Sequence, residues 1–128
     1  MKVFAILGLL FGSAVFARDG FDYITPEDLP LNQLEDVMTI GTRAALKLAL
    51  EEGQINPAVF HIDRLQSIAK QEREDATSFE VIVEVSDKFN PSVNGVVETI
   101  LDQDKETGDY SVKAHFVTMN DSRRDDAL

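Results

Sequence analysis

The chain has 128 residues, a formal net charge of −11, 44% hydrophobic and 27% charged residues, and neither cysteine nor tryptophan. Its length lies near the common domain size of about 100–150 residues, which accommodates one modest core. The lack of cysteine excludes disulfides, thiol catalysis and zinc–thiolate centres, and the negative charge opposes binding to nucleic acid or to anionic membrane surfaces.

Met1-Lys2 precedes an apolar run over residues 3–11, and Val15-Phe16-Ala17 has the pattern of a cleavage site. The run is shorter than the about 20 residues that span a bilayer. Residues 1–17 are therefore expected to be a secretory signal peptide, and the protein to be secreted and extracellular. Lys2 would leave with it, taking the net charge from −11 to −12.

Residues 18–31 contain Pro26 and Pro30 and several acids, and read as an extended leader. Asn32, with Glu35 three positions on, has the pattern of a capping box opening a helix. Leu34, Val37, Met38, Gly41, Ala44, Ala45 and Leu48 then fall on one helical face. The small residues allow that face to approach a sheet closely. Gly53 supplies a stop and Pro57 prevents resumption.

Residues 59–70 form a strand with inward candidates Phe60, Ile62, Leu65 and Ile68. The slip in alternation between Ile62 and Leu65 predicts a bulge. Phe79, Val81, Val83 and Val85 alternate with Glu80, Ile82 and Glu84, the strongest strand pattern in the chain. A loop over residues 87–94 leads to a third strand over residues 96–101. An acidic turn over residues 102–109 leads to a fourth, in which Tyr110, Val112, Ala114 and Phe116 alternate with Ser111, Lys113 and His115. Residues 120–128 form a polar tail, which leaves residues 32–119 as the domain proper. Links this short demand antiparallel pairing. The expected class is α+β: one long α-helix packed across a curved four- to five-stranded antiparallel meander.

That order, together with the small helix residues Gly41, Ala44 and Ala45, the approach Ala69-Lys70-Gln71 to the first hairpin, and the strand opened by Phe79, resembles the cystatin superfamily over residues 34–118. The resemblance implies a monomeric inhibitor that blocks papain-like cysteine proteases by non-covalent cleft occlusion. Three elements would make the contact: an N-terminal stretch with a glycine, a first hairpin reading Gln-x-Val-x-Gly, and a second hairpin carrying Pro-Trp. Carried onto this chain, the first is Gly20. The second is Gln71, Glu72, Arg73, Glu74 and Asp75, with only Gln71 matching, Arg73 standing for Val and Asp75 for Gly. The third lies within residues 102–109, with Asp104, Lys105 and Glu106 at its tip and no Trp. The alternative is a non-inhibitory extracellular binding protein whose acidic loops take a basic peptide, a receptor or a cationic ligand.

Other chemistry reads more plainly. Residues 102–109 place oxygen ligands at alternate positions, but Thr107 and Lys113 stand where a calcium loop needs Gly and Glu, so the segment reads as a turn. His61 and His115 have no close ligand spacing, and Ser67, Ser78 and Ser111 lack a nucleophile-elbow context. The expectation is a protein that is not an enzyme, with no metal, cofactor, nucleic acid or membrane partner. Asn120-Asp121-Ser122 is an N-glycosylation sequon, with Asn120 the acceptor.

Overall fold

The computed structural model describes residues 20–121; the expected signal peptide, the rest of the polar tail and Ser122 of the sequon lie outside them. Strand β1, Asp22–Ile24, and a 3-10 turn, Pro26–Asp28, precede helix α1, Leu31–Glu51. Strands β2, Phe60–Glu72, β3, Ala76–Asp87, β4, Val93–Asp104, and β5, Tyr110–Asp121, complete one five-stranded sheet in the order β1-β2-β3-β4-β5. Every neighbouring pair is antiparallel. The helix packs on one face, mainly against β3, β4 and β5, so the class is α+β.

The leader is more structured than its prolines imply. Asp22 pairs with Lys70 and Ile24 with Ile68, adding an edge strand beside β2. The expected cap at Asn32 is not formed. Pro30 is the N-cap residue, its carbonyl accepts the Leu34 amide at 3.0 Å, and Asn32 Oδ1 instead accepts the Gln33 amide inside the first turn at 2.9 Å. The reciprocal pattern of a capping box lies upstream, where Thr25 donates its amide to Asp28 Oδ2 at 2.9 Å and the Asp28 amide returns to the Thr25 carbonyl at 2.9 Å. The C-terminus ends as expected. Gly53, at φ 75°, donates to the Leu50 carbonyl at 3.1 Å, and Gln54 donates to that of Ala49 at 2.8 Å, a paired closure that satisfies the last carbonyls.

The buried row of α1 is Val37, Gly41, Ala45 and Ala49, with Thr42 beside it. Leu48, expected on this face, is exposed, because the row steps by four residues and reaches Ala49 instead. This row faces Phe79, Val81, Val83 and Val85 of β3, Ile68 of β2, and Val97 and Leu101 of β4, which form the core with Leu29.

Bulges decide which side chains join that core. The β2–β3 register shifts between Ile62 and Arg64 and again between Leu65 and Ser67. Each shift absorbs one residue, so Phe60, Ile62, Leu65 and Ile68 all face the helix despite uneven spacing. A further shift, between Ile100 and Leu101, takes up Lys113 of β5. It reverses the alternation expected there. Tyr110 and Val112 pack inward, but Val117 and Met119 follow them, while Ala114 is exposed and Phe116 is 60% exposed. A slip of one residue exchanges the faces of everything downstream.

Gly41 marks the closest approach of helix and sheet. A Cβ there would lie 2.5 Å from Thr99 Oγ1 and 3.2 Å from Leu101 Cδ1. Gly41→Ala gains about 1 kcal/mol of helix propensity but overpacks a closed interface at a cost of about 1–3 kcal/mol. The substitution is therefore expected to lower the urea midpoint, whereas propensity alone would raise it.

Candidate functional site

Three segments far apart in sequence meet at one end of the sheet. The β3–β4 register sets Ala76 opposite Asp104 and Ser78 opposite Asp102, so the β2–β3 tip and the β4–β5 turn emerge side by side. Gly20, at φ 88°, lies against the Gln71 side chain, which occupies the space a Cβ would need. The Lys105 amide donates to the Asp75 carbonyl at 3.0 Å. Gly20, Gln71, Glu72, Arg73, Glu74, Asp75, Asp104, Lys105 and Glu106, the nine expected contact residues, therefore share one edge.

Their side chains do different work. Arg73 turns back along the sheet: its Nη2 reaches both carboxylate oxygens of Asp102 at 2.9 Å and Ser78 Oγ at 2.5 Å. The Ser78 hydroxyl donates to Asp102 Oδ1 at 2.6 Å, which closes a triangle on the outer face. Asp102 keeps only 15% of its side chain exposed and Arg73 47%, while Ser78 is fully buried. Glu72 is held by Lys105 Nζ at 3.2 Å and Lys70 Nζ at 3.3 Å, and accepts the Thr77 hydroxyl at 3.0 Å. The Lys105 bond, then that of Thr77, holds the Glu72 carboxyl below its ordinary range. Lys105 Nζ also donates to the Arg73 carbonyl at 2.5 Å.

Asp104 is a turn residue. Its Oδ1 accepts the amides of Glu106 at 2.7 Å and Thr107 at 2.9 Å, and these amides, Thr107 first, lower its pKa. Gly108, at φ 79°, closes the turn on the Asp104 carbonyl at 2.8 Å. The carboxylates of Glu74, Asp75 and Glu106 have no hydrogen bond or ion pair among the described residues and form the outward surface of the edge.

Ser78 and Lys70 were not among the expected site residues, and Asp102 entered only as a turn boundary. Strand alternation carried the missing signal: pairing Gln71 with Ser78, and Ser78 with Asp102, puts all three in one cross-strand row. Asn120 is exposed, and its backbone lies in β5 opposite Asn94 rather than in a tail.

A second polar cluster sits on β2 and β3. His61 Nε2 is 3.0 Å from Ser86 Oγ and 3.0 Å from Asp63 Oδ1, and Ser86 donates to Asp63 at 3.1 Å. The bulge at Asp63 brings these residues together. One ring nitrogen faces both partners, whereas a serine–histidine–aspartate relay uses two. His115 is 3.9 Å from Glu52 at the helix end. Among the described residues, no group of three or more His, Cys, Asp or Glu side chains is arranged to hold a metal ion.

Two outcomes are expected. Arg73→Val leaves Asp102 and Ser78 without their cationic donor, and should lower unfolding free energy by about 1–2 kcal/mol in urea titration, while Asp102→Asn, which keeps an acceptor, should cost less. Glu72 and Asp104 have depressed folded-state pKa values, so their contribution is complete above the unfolded-chain values and is lost as pH falls through the folded ones. NMR titration should place both midpoints below the ordinary values of 4.5 and 3.8, with Lys105→Met moving that of Glu72 upward.

No family model matches the chain, and no curated protein or solved structure matches it significantly.

Proposed function

We propose that the chain is a secreted protein of the cystatin superfamily that binds a papain-like cysteine protease through this edge and occludes its cleft without covalent chemistry. One observation supports the reading above others: Gly20, the residues 71–75 tip and the Lys105–Glu106 turn converge on a single edge although the helix and most of the sheet separate them in sequence. The order of a helix and then four antiparallel strands, with sheet order following chain order, supports the reading.

The orientation of Arg73 removes one obstacle to this reading. An unpaired charge driven into a protease cleft costs several kcal/mol, whereas a buried Val-sized side chain contributes roughly 1.5–3 kcal/mol. Arg73 meets a partner already paired with Asp102, and Glu72 already paired with Lys105. What remains outward is the carboxylates of Glu74, Asp75 and Glu106. The edge therefore closes over a cleft with main chain and acids rather than plugging it with apolar side chains, and suits a protease whose cleft rim is basic.

The same three carboxylates favour a second reading, an extracellular module that takes a basic peptide or receptor. Inhibition assays against several papain-like proteases separate the two. We expect micromolar inhibition that weakens as salt rises through the range where the Debye length falls to about 8 Å. Asp75→Gly removes one outward charge and should tighten inhibition of a protease with a neutral rim by about tenfold, the equivalent of 1.4 kcal/mol. Absence of inhibition at micromolar protein for every protease tried ends the protease reading and leaves the basic partner.

A further inference from the structure

The two loops that form the edge belong to separate hairpins. β2 and β4 do not pair with each other; β3 lies between them. Beyond the last β3–β4 pair, Ala76 with Asp104, the sheet no longer joins the two tips. Three bonds span that gap, and Lys105 makes all of them. Its amide donates to the Asp75 carbonyl at 3.0 Å, and its Nζ reaches the Arg73 carbonyl at 2.5 Å and Glu72 Oε1 at 3.2 Å. Arg73 adds a fourth tie, from the first tip to Asp102 on β4.

The second turn is itself anchored. Gln103 Nε2 donates to the Gly108 carbonyl at 3.3 Å, and Gln33, in the first turn of α1, donates to Gln103 Oε1 at 2.9 Å. A continuous line of hydrogen bonds thus runs from the helix, through the second hairpin, to the first.

We infer that Lys105 and Arg73 are positioning residues that fasten the two hairpin tips together, so that the edge meets a partner as one rigid surface and not as two independent loops. Loops that must be ordered on binding lose affinity to that ordering, and a surface set in advance avoids the loss. The two positive side chains act inward, on neighbouring strands and carbonyls, and leave the outward face to the acids. This inference rests on the edge being the binding surface, but the coupling of the tips is measurable without any partner.

Amide hydrogen exchange on the full chain, for wild type, Lys105→Met and Lys105→Arg, tests it. Lys105→Met should speed exchange at both the Lys105 and Arg73 amides by about two- to fivefold, the range expected for loss of exposed charged contacts. Core amides such as that of Val83 should be unchanged, and Lys105→Arg should restore both tips. Faster exchange confined to the second turn, with the Arg73 amide unchanged, would overturn the coupling. With papain as the binding probe, Lys105→Met should dissociate about two- to fivefold faster and Lys105→Arg at the wild-type rate; equal dissociation by all three proteins would overturn the positioning role. If wild type does not bind papain, that result counts against the protease reading for papain only, and the exchange comparison alone decides whether the tips are coupled.

Discussion

The register of β3 against β4 is the constraint on which the rest of the molecule depends. Val83 opposite Val97 and Phe79 opposite Leu101 put these four buried side chains on the helical face. The same register puts Ser78 opposite Asp102 on the other face and sets the two hairpin tips level at the end of the sheet. A slip of one residue would turn the apolar side chains away from the helix and separate Arg73 from its carboxylate. Core and edge are thus specified together, and the burial of the valines holds the polar edge in place.

The helix side of the interface follows from side-chain size. Gly41, Ala45 and Ala49 present so little volume that α1 lies close to β4. Bulges in β2 and β5 serve the same end from the sheet side, because each lets a strand with uneven spacing keep its apolar residues on the helical face. Their by-products are local. One aims Asp63 at His61 and Ser86, and the other leaves Phe116 exposed on the outer face of an edge strand.

The charge of −11 gives a misleading picture of the edge if it is spread evenly over the chain. Cations are concentrated where the hairpins meet. Lys70, Arg73 and Lys105 neutralise Glu72 and Asp102, Asp104 is consumed by backbone amides, and the acids left over face outward. A run that reads Gln71-Glu72-Arg73-Glu74-Asp75 in one dimension separates in three into a braced base and an acidic apex. The physical reason is geometric: alternate side chains of a strand end point to opposite faces, so neighbours in sequence find different partners.

The helix and its C-terminal stop, the β3 alternation, the first β2 bulge and the antiparallel order were all legible in the residues, because each depends on local periodicity or on a single glycine. Less could be read where a distant partner decides. Asn32 has capping chemistry, yet Pro30 begins the helix; residues 22–24 look like leader, yet gain strand bonds from β2. The phase of β5 after Lys113 depends on β4 rather than on its own alternation. By itself, then, the sequence determined the element types, the class and the composition of the edge. Only tertiary structure decided which charges in that edge are paired, since a salt bridge between Arg73 and Asp102 spans 29 positions and exists only because three strands in register bring those side chains within bonding distance.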